Sequence, residues 1–77
     1  MRQLDVRDLM ARGEEPFAVI MEAVAQLGPE EAFELTAPLE PVPLYGVLDA
    51  RGFQHETEDL GGGDYRVLFT RNSVGDG

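Results

Sequence analysis

Apolar residues recur along this chain at two spacings, and the alternation between them predicts the order of elements. Leu4 and Val6 point to one side of a short run, so residues 2–6 read as a strand. Phe17, Ile20, Val24 and Leu27, with Ala23 alongside, fall on one face at helical spacing. That predicts a helix over residues 16–27, opened by Pro16 and closed by Gly28-Pro29 with the glycine as a left-handed cap. The stretch between, residues 7–15, is polar and reads as a connection. Phe33 and Leu35 alternate with Glu34 and Thr36, which predicts a strand over residues 32–36. Two prolines exclude regular structure from residues 37–42.

Pro43 suits the first position of a second helix, whose buried stripe is Leu44, Val47 and Leu48 and whose stop is Gly52. Gly46 inside it costs about 1 kcal/mol relative to alanine, so this helix needs packing to persist. Residues 53–59 and 64–71 alternate on either side of Gly61-Gly62-Gly63 and predict a hairpin. Matching their faces pairs His55 with Phe69, Thr57 with Val67, and Glu58 with Arg66, the last a favourable cross-strand charge pair. The resulting order is β-α-β-α-β-β. Strand-helix-strand crossovers are right-handed with parallel strands, so both helices lie on one face of a four-stranded mixed sheet. The expected class is α+β, a two-layer α/β sandwich formed by a single domain over residues 1–71. Residues 72–77 are polar and glycine-rich and predict a disordered tail.

Composition changes this picture mainly by exclusion. The chain has 77 residues, no cysteine, and six Lys+Arg, all of them arginine, against 15 Asp+Glu, for a net charge of −9. Disulfides, thiolate catalysis and thiolate metal sites are therefore absent, and the lack of cysteine suits a reducing cytoplasm. Such an acidic surface repels a phosphate backbone and an anionic membrane, so neither nucleic acid nor membrane is expected as a partner. The longest apolar run, residues 17–21, is too short to span a bilayer, and the N-terminus shows no charged-then-apolar leader pattern.

The topology gives the candidate chemistry a place. Both strand-to-helix loops leave the sheet at the same edge, so both helix N-termini face it. A small-ligand site is expected there, built from Arg7, Arg12, Glu14, Glu15, Glu40 and Tyr45, with Leu39 nearby. Glu14, Glu15 and Glu40 could hold a divalent cation or act as acid and base; the simpler role is to favour the helix dipoles. Arg7 and Arg12 could contact an anion, or form surface ion pairs of little energetic value. Tyr45 reads either as a ligand contact or as a tyrosine half-packed at a helix start. His55, the single histidine, shares a strand face with Asp59 while Glu56 and Glu58 face the other way. These groups do not converge on a metal, and His55 reads as a core-facing or edge residue. No helix opens after the three glycines, so they are a hairpin turn rather than a phosphate loop. Asp5 and Asp8 lack the serine and histidine of a triad. The sheet face opposite the helices is mostly polar, with Leu68 its main apolar residue. Self-association, if it occurs, is expected at an edge strand or the helix layer.

Certain segments also resemble a known family. Leu4-Asp5-Val6-Arg7, a proline opening the first helix, and Gly28-Pro29-Glu30-Glu31-Ala32 before a strand resemble the TusA/SirA-like sulfur carriers. Glu40-Pro41-Val42-Pro43-Leu44-Tyr45 and Tyr65-Arg66-Val67 look like a cysteine-less, bacterial-type branch of that superfamily, a domain of unknown function. The resemblance covers nearly all of residues 3–71 and implies the same fold. It also implies what is missing. Sulfur carriers hold a cysteine in a C-P-x-P motif at the first helix, where dipole and free N–H groups favour the thiolate. The corresponding positions here are Gly13 and Glu14, so sulfur transfer is chemically excluded. Histidines found in some relatives fall on Glu15 and Leu39, so no histidine-bound metal or haem carries over and no cofactor is implied. The reading is a non-enzymatic binding or adaptor domain for a protein or small ligand. The alternatives are a metal- or small-anion-binding enzyme or sensor at the helix edge, or an accessory protein in a sulfur or redox pathway.

Overall fold

The computed structural model describes residues 1–71. The seven elements are β1 (Arg2–Asp5), α1 (Arg7–Ala11), α2 (Phe17–Ala25), β2 (Phe33–Ala37), α3 (Val42–Ala50), β3 (Phe53–Gly61) and β4 (Asp64–Arg71). The four strands form one mixed sheet in the order β1-β2-β4-β3. β1 and β2 are parallel, with Leu4 beside Leu35; β4 is antiparallel to both of its neighbours. The fold is α+β, a two-layer sandwich, as the periodicity implies. The hairpin register is the expected one, with His55 opposite Phe69, Thr57 opposite Val67 and Glu58 opposite Arg66.

One face of the sheet carries the core. Phe33, Leu35, Val67 and Phe69 are fully buried there, together with Val6 and Phe53, beneath Ile20, Ala23 and Val24 of α2 and Leu44 and Leu48 of α3. Phe33 and Phe69 lie side by side, ring centroids 6.0 Å apart. Aromatic and aliphatic burial of this kind is the main term holding a small domain together. No described helix is long and apolar enough to cross a membrane. The expected tail at 72–77 lies outside the described residues.

Four expectations are corrected. First, the polar connection at residues 7–15 contains the short helix α1, so the described residues form three helices rather than two. Asp5 accepts the Arg7 backbone N–H at 3.0 Å, and Met10 packs against the core. Val6, Leu9 and Met10 carry a helical spacing too brief to stand out among charges. Second, Gly28 is not a left-handed cap, for it is absent from the glycines of positive φ. The last turn of α2 instead tightens, with Leu27 N–H donating to Val24 C=O, and the Glu31 carboxylate accepts from Gly28 N–H at 3.1 Å. Third, Phe17 does not join the buried stripe; it is 45% exposed in the first turn of α2, at the margin of the sheet, and the stripe starts at Ile20. Fourth, β3 continues to Gly61, with a register irregularity between Asp59 and Gly61, leaving Gly62 and Gly63 as the turn. Both have positive φ, 68° and 93°, the requirement of the tight turns that match strand twist.

Candidate functional site

β1 and β2 run parallel, and β3, antiparallel to β4, runs the same way as β2. Three strands therefore end at one edge, and the N-termini of α2 and α3 lie there too. The β3–β4 turn rises at this same edge. An interaction across 57 residues of sequence fixes the point: Arg7 Nη1 donates to Asp64 Oδ2 at 2.9 Å.

The sequence-predicted residues are each engaged, but in separate local groups. Arg7 is held between two carboxylates, donating to Asp5 Oδ2 at 2.7 Å as well as to Asp64. This clamp holds the Asp5 carboxyl below the usual carboxylate range, chiefly through the Arg7 side-chain hydrogen bond and then the Arg7 backbone N–H, and it raises the guanidinium pKa further. Arg12 donates to Glu14 at 3.0 Å; both side chains are more than half exposed. Glu15 turns back on the start of α2 and accepts from Phe17 N–H at 2.7 Å and Ala18 N–H at 3.4 Å. It thus satisfies orphan donors of the helix N-terminus. Glu40 and Tyr45 come together, the phenol donating to Glu40 Oε2 at 3.2 Å.

Tyr45 is the best-connected of the six. Its hydroxyl also hydrogen-bonds the Thr57 hydroxyl, and its ring stacks on the His55 imidazole at 3.8 Å and 7°. Burial is the first cause that pushes the phenol above the ordinary tyrosine value, with Glu40 adding to it and Thr57 opposing. The ring also leans on Phe69, so this cluster is tied to the core. His55 faces the helix layer yet stays exposed, its neighbour being the Tyr45 ring rather than the interior.

Sequence reasoning missed Asp5, Asp64 and Thr57 as partners. The signal for Asp64 was present: once β3 is parallel to β2, the glycine turn must reach the strand-end edge. Thr57 was equally accessible, since α3 packs over β3 and its first turn must meet the far part of that strand. Gly13 gains a second meaning. It sits at φ +81° after α1, with Gly13 N–H bonded to Met10 C=O and Glu14 N–H to Leu9 C=O, the paired closure of a glycine-capped helix. A cysteine at this position would have to adopt a backbone conformation that favours glycine.

Among the described residues no group of three or more His, Asp and Glu side chains is placed to hold a metal ion. Four of the six exposed large apolar side chains among the described residues belong to segments at the strand-end edge. Phe17 opens α2, Leu39 and Val42 flank the start of α3, and Leu60 precedes the turn; Val42 is 56% exposed.

No curated protein and no solved structure matches the chain. A family model described as "Uncharacterized conserved protein (DUF2249)" matches residues 3–71, which takes in all of α1 through α3 and the hairpin. The chain belongs to this DUF2249 family of uncharacterised conserved proteins.

Proposed function

We propose that this protein is a non-enzymatic binding or adaptor domain, a sulfur-carrier-like fold without the sulfur-carrying cysteine, acting in the cytoplasm through contact with a protein partner. The observation that carries this reading is the character of the strand-end edge. Its predicted polar residues pair with one another, with α2, or with Asp5, Asp64 and Thr57. Its apolar residues Phe17, Leu39, Val42 and Leu60 are left exposed. Apolar groups ringed by charge are the usual composition of a protein contact. A substrate site would instead need polar groups aimed at a shared space. The same pairing weighs against the small-anion or metal reading of Arg7, Arg12, Glu14, Glu15, Glu40 and Tyr45. An accessory place in a sulfur or redox pathway is one setting for such an adaptor and rests on fold analogy.

The test compares affinity capture by the wild-type domain with capture by Val42→Asp. Val42 is exposed and opens α3, where aspartate favours the helix dipole, so the fold tolerates the change. A protein retained by wild type and lost by the variant, at unchanged thermal midpoint, is the expected result. Identical capture by both, or a raised midpoint with a divalent metal or small anion in place of protein capture, overturns the reading.

A further inference from the structure

The geometry points to a second contact surface, distinct from the strand-end edge: the long free side of β3, shaped to accept an added strand from a basic partner. Among the described residues β3 is an outer strand of the sheet and pairs only with β4. Among the described residues, no other backbone hydrogen bond reaches its stretch 54–60. At nine residues it offers an edge of about 30 Å, regular up to the irregularity between Asp59 and Gly61, with every second N–H and C=O of the regular part directed outward. The other outer strand, β1, has only four residues.

The two rows of β3 side chains define what fits. Gln54, Glu56 and Glu58 lie on the open face, opposite Thr70, Leu68 and Arg66. Glu58 meets Arg66 at 3.0 Å, whereas Glu56 has no ion-pair partner among the described residues. A shallow depression of about 240 Å³ beside this row is lined by Glu34, Glu56, Thr57, Glu58, Arg66 and Leu68; Arg66 already pairs with Glu34 and Glu58, so Glu56 is the carboxylate left for an incoming cationic side chain, with Leu68 as apolar contact. The other row runs Phe53, His55, Thr57 and Asp59; its middle pair, His55 and Thr57, lies alongside Tyr45, and Asp59 stands at the turn end.

A second copy of this chain would set Glu56 and Glu58 against the same carboxylates, and like charges directly opposite one another destabilise a strand pair. A chain of net charge −9 adds to that repulsion. Over the stretch 54–58, a partner strand with lysine or arginine beside Glu56 and Glu58 and uncharged side chains beside His55 and Thr57 satisfies both rows at once. A register shift of one residue would place the basic row on the wrong face, so the fit is selective.

The test uses a fluorescent synthetic peptide alternating lysine and valine, about eight residues long, the length of an ordinary strand. Two companions are a peptide with glutamate in place of lysine and the lysine peptide N-methylated at alternate backbone nitrogens. Wild type is expected to bind the lysine peptide, with amide shifts along β3, and to lose about tenfold or more in affinity when the backbone donors are methylated. Glu56→Lys should weaken the lysine peptide and strengthen the glutamate one at unchanged thermal midpoint. Equal binding of the methylated peptide, amide shifts confined to another surface, or no binding overturns strand addition. The inference shares only the binding-module premise of the proposed function. Loss of capture in Val42→Asp alongside peptide failure would leave that function standing and remove this inference alone.

Discussion

β2 and β3 both open on a buried phenylalanine, yet one strand is core and the other is surface. In β2, Phe33, Leu35 and Ala37 are buried in turn; in β3, burial ends at Phe53 and every later residue is exposed. Position in the sheet accounts for the difference. Among the described residues, β2 lies between β1 and β4 beneath the helices, whereas β3 has one strand neighbour and the Tyr45 ring of α3 stacked against its middle. Alternation identifies a strand; the residues that fill the inward row identify its place in the sheet. The β2 row is Phe, Leu and Ala, while the β3 row passes from Phe to His, Thr and Asp.

Truncating partners across the register should have the largest effect. Phe69 and His55 face one another on adjacent strands. Phe69→Ala should cost about 3–5 kcal/mol, most of what a domain this small has, and leave it largely unfolded at ambient temperature. His55→Ala gives up the stack on Tyr45 and should cost about 1 kcal/mol. Denaturant melts of both variants measure the gap, and equal losses would mean that the middle of β3 is as buried as the inner strand β4 beside it.

Tyr45→Phe acts at the place where α3 holds β3. It removes the hydroxyl contacts with Glu40 and Thr57, for an expected loss of about 1 kcal/mol. It also alters the alkaline limb. The folded phenol titrates above the ordinary value, so the folded state holds its proton longer than the unfolded chain does. That stabilisation is present below about pH 10 and fades as pH rises through the raised folded value. Wild type should therefore lose stability more steeply than the phenylalanine variant above about pH 10, and parallel curves would contradict the environment assigned to Tyr45.

A smaller effect belongs to the Arg7 clamp at the strand-end edge. The folded Asp5 carboxyl is held below its ordinary range, so its contribution is present above the unfolded value, about pH 4, and is lost as pH falls through the folded value. Asp5→Asn should flatten the acid limb of the thermal midpoint. Solvent exposure of both partners keeps the effect modest. Glu56→Lys should be smallest, within about 0.5 kcal/mol, because the side chain is exposed and unpaired among the described residues. A larger loss would mean that the open face of β3 supports the fold rather than awaiting a partner.

Much of the fold was legible because each element carries its own punctuation. Pro16 and Pro43 mark helix starts to within a residue, and the alternating faces of residues 53–59 and 64–71 imply the hairpin register found in the sheet. The short helix α1 was hidden because five residues with three charged or small side chains show little periodicity. Gly28 misled because a carboxylate three residues on could cap the helix end in place of a left-handed backbone. The candidate residues at the strand-end edge were placeable from topology. Their pairings were not, since the reach of Asp64 and Thr57 depends on the height of the hairpin above the sheet, which periodicity does not encode.

Residue-resolved hydrogen exchange tests the central contrast most directly. In the free protein, amides of β2 should be protected throughout, while protection along β3 should alternate, strong where N–H groups bond β4 and weak where they point outward. Adding the lysine–valine peptide should protect the weak set and leave β1 unchanged. Uniform protection along β3 in the free protein, or a peptide that leaves the outward amides exchanging as before, would contradict a free edge awaiting a strand.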